Sequence, residues 1–111
     1  HNNAFRKPSA HGSEVLYHSS SKYSKKLASI VQGEFVNNLP EPMNVDRGIK
    51  SGDGLAVLSK ALEYNDMYAI LTESGFISNP TTNALLQKDD VQMSVATSIA
   101  NGIDSFKQMM S

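Results

Sequence analysis

Two groups able to do hydrolytic chemistry stand far apart in this 111-residue chain. Glu73 lies in Thr72-Glu73-Ser74-Gly75-Phe76-Ile77-Ser78-Asn79, where an apolar run turns into a Gly-containing segment. His1 opens the chain in His1-Asn2-Asn3-Ala4-Phe5, beside small and amide side chains. An imidazole that holds a metal and a carboxylate that handles a proton are two parts of a zinc hydrolase site. In open α/β sheets, ligands bind beyond the carboxyl ends of the strands. Glu73 takes that place after the apolar run 67–72, and His1 takes the matching place if a strand precedes it. A zinc site uses about three protein ligands, and one imidazole falls short of that. Spacing alone leaves a second reading for each group. Glu73 is then a solvated or ion-paired side chain, and His1, if a true terminus, an adventitious chelate of imidazole and α-amine.

The remaining polar groups have plainer readings. His11 and His18 read as surface residues. Glu14 and His18 share a strand face by parity, with Leu16 between them and no third ligand. Ser19-Ser20-Ser21 reads as a helix cap, because no His or Asp is spaced to complete a triad with it. Arg47, in Arg47-Gly48-Ile49-Lys50, is the basic residue placed to meet an anionic substrate; loop solvation or pairing with Asp46 explains it equally well.

Composition narrows the classes. Ten basic against eleven acidic residues leave a net charge of −1, so nothing points to electrostatic nucleic-acid binding. Lys22, Lys25 and Lys26 read as the solvated face of a helix start. The chain has no Cys, which excludes disulfides and a Cys-based zinc site and is compatible with any compartment. No apolar run is long enough to span a bilayer, and no signal-peptide pattern is present. The length fits one small domain or part of one. Opening on His rather than Met reads as a processed product or part of something longer.

The elements that must position these groups follow from periodicity. Residues 14–18 predict a strand. Tyr23, Leu27, Ile30, Val31, Phe35 and Leu39 recur at three- and four-residue steps, the stripe of an amphipathic helix, ended by Leu39-Pro40-Glu41-Pro42. Residues 43–54 read as a polar loop, 55–58 as a short strand and 62–66 as a connector. Residues 67–72, apolar on both faces, read as a central strand covered on both sides. Asn79-Pro80 starts a short helix through Leu85 and Leu86. Asp89 and Asp90 read as caps of a last helix, whose stripe is Val95, Ala96, Ile99, Ala100, Ile103, Phe106 and Met110. Gly102 within it predicts close helix–sheet packing. Alternating strands and helices give an α/β layered fold. Three short strands and three helices make a poor complete domain, so the expectation is the C-terminal portion of a larger one, or a chain whose sheet a partner completes.

Taken in order, these residues resemble the zinc-dependent N-acetylmuramoyl-L-alanine amidases, the amidase type 3 family of bacterial autolysins and phage endolysins. His1-Asn2-Asn3-Ala4-Phe5 is similar to the family's Ser-x-His-x-Asn-Ala segment from its His onward. Gly12-Ser13-Glu14-Val15-Leu16-Tyr17 is similar to the strand that follows, and Lys26-Leu27-Ala28 lies in the matching helix. Asp46-Arg47-Gly48-Ile49-Lys50 resembles the Arg-Gly-Val-Lys loop, and 71–79 the Glu-x-Gly-Phe-x-Ser-Asn signature. The resemblance implies a twisted, mainly parallel sheet flanked by helices, with residues 1–111 as the C-terminal part of the catalytic domain. It implies zinc as cofactor, His1 as a metal ligand and Glu73 as the catalytic residue. The substrate is then peptidoglycan, cut at the amide between N-acetylmuramic acid and L-alanine. The family's earlier His and Glu ligands are not in this chain, so the implied partner is the N-terminal half of the domain, in the same protein or as a second fragment. Location would be secreted, periplasmic or cell-wall, or phage-delivered to the wall. The rival readings are a related zinc peptidase acting on the stem peptide, and a catalytically incomplete cell-wall or phage structural module.

Overall fold

The computed structural model describes residues 1–65 and 67–111. In chain order the elements are β1 (Ser13–Tyr17), α1 (Lys22–Asn38), β2 (Asp46–Ser51), α2 (Ala56–Ala61), β3 (Ile70–Glu73), α3 (Pro80–Leu86) and α4 (Asp89–Met110). The sheet order is β2-β1-β3. β1 pairs parallel with β2 and antiparallel with β3. The α/β class expected from the alternation therefore stands.

Parity divides this sheet into two unlike faces. Val15, Tyr17, Ile49 and Ile70 point to one side and join a core with Leu27, Ala28, Val31, Phe35, Leu39, Met43, Val91 and Phe106 of the helical layer. Glu14, Leu16, Lys50, Leu71 and Glu73 occupy the other side. There Leu16, Leu55 and Leu58 close around Gly52, where an added Cβ would lie 3.0 to 3.2 Å from their methyl groups.

α1 forms where the stripe places it. The Ser21 side chain caps it by accepting from Ser24 N–H. Two polar residues that periodicity leaves outside the stripe are buried. Gln32 donates through Nε2 to the Ser13 carbonyl at 3.0 Å and to Asp46 Oδ1 at 2.9 Å, tying α1 to both parallel strands. Ser24 Oγ accepts from Ala69 N–H at 3.0 Å.

Several expected elements differ. Residues 56–58 enter a helix with Leu55 as its N-cap, not a strand; a four-residue apolar run fits either state, and here Leu55 and Leu58 both lie against Gly52. The loop expected over 43–54 contains β2. Its Arg47–Gly48 irregularity, with Gly48 at φ +79°, hides the alternation that would have marked a strand. The strand expected over 67–72 covers Ile70–Glu73, runs antiparallel and lies at the edge of the described sheet. Of the connector expected over 62–66, residue 66 lies outside the described residues. Among the described residues four helices form rather than three. Asp89 and Asp90 stand in the first turn of α4 rather than at its cap, which is Lys88.

The α4 stripe is also rotated from the expected one. Val91, Ser98, Gly102 and Phe106 are buried, whereas Ala96, Ala100, Ile103 and Met110 are exposed. Gly102 explains the rotation. A Cβ there would lie 2.7 Å from Val31 Cγ2 and 3.2 Å from Val31 Cα, so the close approach is helix on helix, α4 against α1, rather than helix on sheet. Gly102→Ala should gain about 1 kcal/mol of helix propensity but meet an overpacking cost of about 1–3 kcal/mol. The urea midpoint is expected to fall, and Val31→Ala in the same chain to recover part of the loss. A midpoint above wild type would show that the helices can separate freely.

A second stability term lies where β1 and β2 end. Asp53 accepts from Ser19 N–H and Ser51 Oγ, each at 2.8 Å, and from Ser19 Oγ. These bonds, Ser19 foremost, hold its carboxyl down to about 2 from 3.8. A carboxyl depressed in the native state stabilises above the unfolded value and loses that contribution as pH falls through the folded one. Asp53→Asn should therefore melt below wild type at neutral pH. The gap should close as pH falls from 3.8 to about 2, read from thermal melts across that range.

Candidate active site

Glu73 is the last residue of β3, and the antiparallel register sets it opposite Glu14. Both side chains therefore stand on the face away from α1, and both are buried. Facing like charges destabilise a sheet, so each carboxylate needs its own partner. Glu14 forms an ion pair with Lys50 of β2 and accepts from Asn3 Nδ2 at 2.8 Å. Glu73 meets His1, whose Nδ1 stands 2.9 Å from both carboxylate oxygens. The imidazole is 62% exposed and the Glu73 side chain 7%. Burial pushes the Glu73 carboxyl above its ordinary value, the α-amino group of His1 opposes this, and the Glu14 charge reinforces it.

His1 reaches Glu73 because residues 1–5 run beside 74–78. Ser74 N–H donates to the His1 carbonyl at 3.3 Å, Asn3 N–H to the Gly75 carbonyl at 2.7 Å, and Ile77 N–H to the Asn3 carbonyl at 2.8 Å. Phe5 N–H donates to Ser78 Oγ at 3.1 Å. Asn3 and Phe76 thereby form a parallel bridge.

The residues after Glu73 each have a physical task. Gly75 passes so near α3 that a Cβ would lie 2.6 Å from Thr82 Cγ2. Phe76 is buried. Ser78 anchors Phe5. Asn79 caps α3 by accepting from Thr82 N–H at 3.1 Å.

Arg47 covers Phe76. Its guanidinium carbon stands 4.7 Å from the ring centroid, and Nη1 donates to the His11 carbonyl at 3.4 Å. Stacking on a ring is a structural task that spacing did not reveal. The other two histidines stay apart from His1 and Glu73: His11 Nδ1 bonds the Ser9 carbonyl, and His18 Nδ1 accepts from Ser20 N–H. Sequence reasoning weighed Glu14 only with His18 and gave Asn3 and Lys50 no task of their own. The available signal was an acidic residue inside an otherwise apolar strand, at the same parity as Leu16.

A groove of about 260 Å³ opens beside the pair, lined by His1, Asn2, Ser74, Leu86, Gln92 and Val95. Besides the imidazole, its lining side chains are a mixture of amide, hydroxyl and alkyl groups.

Zinc can be tested against these donors. Among the described residues no group of three or more His, Cys, Asp or Glu side chains is placed to hold a metal ion. Zinc bonds to nitrogen and oxygen run about 2.0–2.2 Å in tetrahedral sites, which spreads two ligand atoms wider than the 2.9 Å between His1 Nδ1 and Glu73. An exposed imidazole is a suitable donor, but the described residues do not complete a zinc site.

Comparison with known proteins bears on the family and the fold. Residues 1–105 match the family described as N-acetylmuramoyl-L-alanine amidase. An uncharacterized protein of Bacillus subtilis, YqiI, is 34% identical over 100 residues, which are 88% of this chain and 45% of that protein. The CwlD amidase of Clostridioides difficile, solved with the GerS lipoprotein, is 27% identical with a TM-score of 0.86, over 98% of this chain and 52% of that one. The N-acetylmuramoyl-L-alanine amidase AmiC2 of Nostoc punctiforme is 28% identical with a TM-score of 0.82, over 97% and 55%. The chain thus spans about half the length of the relatives it matches. On the extent of that match, this chain belongs to the N-acetylmuramoyl-L-alanine amidase family.

Proposed function

We propose that this chain supplies the proton-handling part of a peptidoglycan amidase domain. The observation that carries the reading is the contact between His1 and Glu73, 72 positions apart in sequence and 2.9 Å apart in space. It lies within residues that match the amidase family.

The bond cut is the amide joining the lactyl group of N-acetylmuramic acid to L-alanine. Water adds to the lactyl carbonyl, and the Glu73 carboxylate takes the proton that this water releases. The same carboxyl then gives that proton to the departing alanine nitrogen. A carboxyl raised by burial suits both halves of this exchange, since an acid–base group works best with a pKa drawn toward the operating pH. His1, by its bond to Glu73, fixes which way the carboxyl faces.

His1 is proposed as one zinc ligand, as the family resemblance implies. The other ligands then come from outside the described residues, from the rest of the domain in the same polypeptide or in a second one. That would make residues 1–111 the C-terminal part of a catalytic domain. The substrate places its work in the cell wall, outside the cytoplasmic membrane. Among the described residues no helix is long and apolar enough to cross a membrane.

In the full-length protein, Glu73→Gln should lower turnover of purified peptidoglycan by about 10²–10⁴-fold, the usual reach of one acid–base group, and leave the zinc content unchanged. His1→Ala should lower the zinc content itself. Mass analysis of wild-type products should show intact stem peptides with a new L-alanine amino terminus. Cuts inside the stem peptide would instead identify a peptidase, and undiminished turnover by the Glu73→Gln protein would remove Glu73 from the reaction.

A further inference from the structure

We infer that Glu14 and Asn3 are positioning residues for the His1–Glu73 pair, acting through the hydrogen bond between their side chains; this rests on the function proposed above. The inference starts from an oddity. Glu14 is a nearly buried carboxylate, its side chain 8% exposed, set directly opposite a second buried carboxylate. Such a placement is unfavourable. A surface ion pair with Lys50, itself 48% exposed, would not require it.

What burial gives Glu14 is reach to Asn3. Its Oε1 accepts from Asn3 Nδ2 at 2.8 Å. The Asn3 side-chain oxygen accepts from Ala4 N–H at 2.9 Å. The Asn3 backbone bonds Gly75 and Ile77 on either side of Phe76. Asn3 is therefore held on its side chain and on both sides of its backbone.

His1 is held far less. Among the described residues its ring is mostly exposed, its carbonyl accepts only the long 3.3 Å bond from Ser74 N–H, and Asn2 beside it accepts from Ser74 Oγ at 3.2 Å. The anchor two residues along the chain fixes where His1 begins. Without the Asn3–Glu14 bond Asn3 keeps its backbone bonds to Gly75 and Ile77, but its side chain no longer ties the segment to β1, and the imidazole should shift against the Glu73 carboxyl. Lys50 takes the remaining Glu14 oxygen, which keeps Glu14 turned to Asn3 and Lys50.

The test uses the full-length protein with Asn3→Ala, Glu14→Leu, the double variant and Glu14→Gln, which keeps an acceptor oxygen for Asn3. Displacement of a reacting group by about 1 Å can cost 10²-fold. Asn3→Ala and Glu14→Leu should each lose about that in kcat with little change in KM. The double variant should fall no further than the worse single, since the two share one interaction. Glu14→Gln should recover most of the loss. The His1 ring signals in a ¹⁵N–¹H spectrum, shifted in Asn3→Ala and restored toward wild type in Glu14→Gln, report the geometry without reference to turnover. If Glu14→Leu fails to fold, the partly exposed Asn3 carries the test by itself. Wild-type kcat and unshifted His1 signals in Asn3→Ala would overturn the inference, as would losses that simply add. Full turnover in Glu73→Gln would instead overturn the proposed reaction, leaving the His1 signals to judge the anchor.

Discussion

The docking of residues 1–5 along 74–78 is the constraint on which the site depends. Backbone bonds fix the two segments to one register, and register decides which side chains meet. A slip of one residue would move Asn3 off Glu14 and His1 off Glu73 together. The tight turns that allow it are also backbone matters. Gly75 admits the segment next to α3, and Gly12, at φ +105°, turns the chain into β1 within reach of the Val45 carbonyl. The geometry of the His1–Glu73 contact is thus set largely by backbone hydrogen bonds.

The same sheet serves two incompatible environments by parity alone. The face toward α1 and α4 is apolar and holds the core. The opposite face collects Lys50, Glu14 and Glu73 across three adjacent strands. A buried carboxylate is tolerated only when paired and hydrogen-bonded, and here the two solutions differ. Glu14 takes a cation and an amide. Glu73 takes a single imidazole whose charge depends on pH. Two carboxylates on one face are thereby given unequal environments, the arrangement by which acid–base roles are separated.

How much of this was legible in sequence depended on the range of the interaction involved. α1 is written locally, in its stripe and in Ser21, and α3 is written in Asn79-Pro80. The position of Glu73 at a strand end followed from an apolar run turning into Gly75. β2 was not legible, because Asp46-Arg47-Gly48-Ile49-Lys50-Ser51 contributes only Ile49 to the core and becomes a strand through pairing with β1. The helix over 56–61 was hidden for the converse reason: a short apolar run carries no period of its own. The α4 stripe went astray where apolar character and burial part company, since Ser98 and Gly102 are buried for their small size and Ile103 is not. At the site, His1 and Glu73 could be named from residue type, and the rule that ligands bind beyond strand ends set them at one crevice; the direct bond between them could not be read. No local pattern relates position 1 to position 73, and the Asn3–Glu14 bond that bears on it joins residues of ordinary appearance.

The motif after Glu73 illustrates why a short signature can be specific without being wholly chemical. Of its residues, Glu73 alone meets the imidazole. Gly75 is there for clearance, Phe76 for the core, Ser78 to hold Phe5 and Asn79 to start α3. Arg47, brought from β2, shields the Phe76 ring. These tasks are linked, because each fixes the path of the segment against which His1 and Asn3 lie. A change at any of them would act on the Glu73 carboxyl through geometry rather than charge. The apparent density of functional residues in 73–79 is therefore largely a density of positioning. Among the described residues, the burial that raises the Glu73 carboxyl and its contact with His1 both follow from the path these neighbours set.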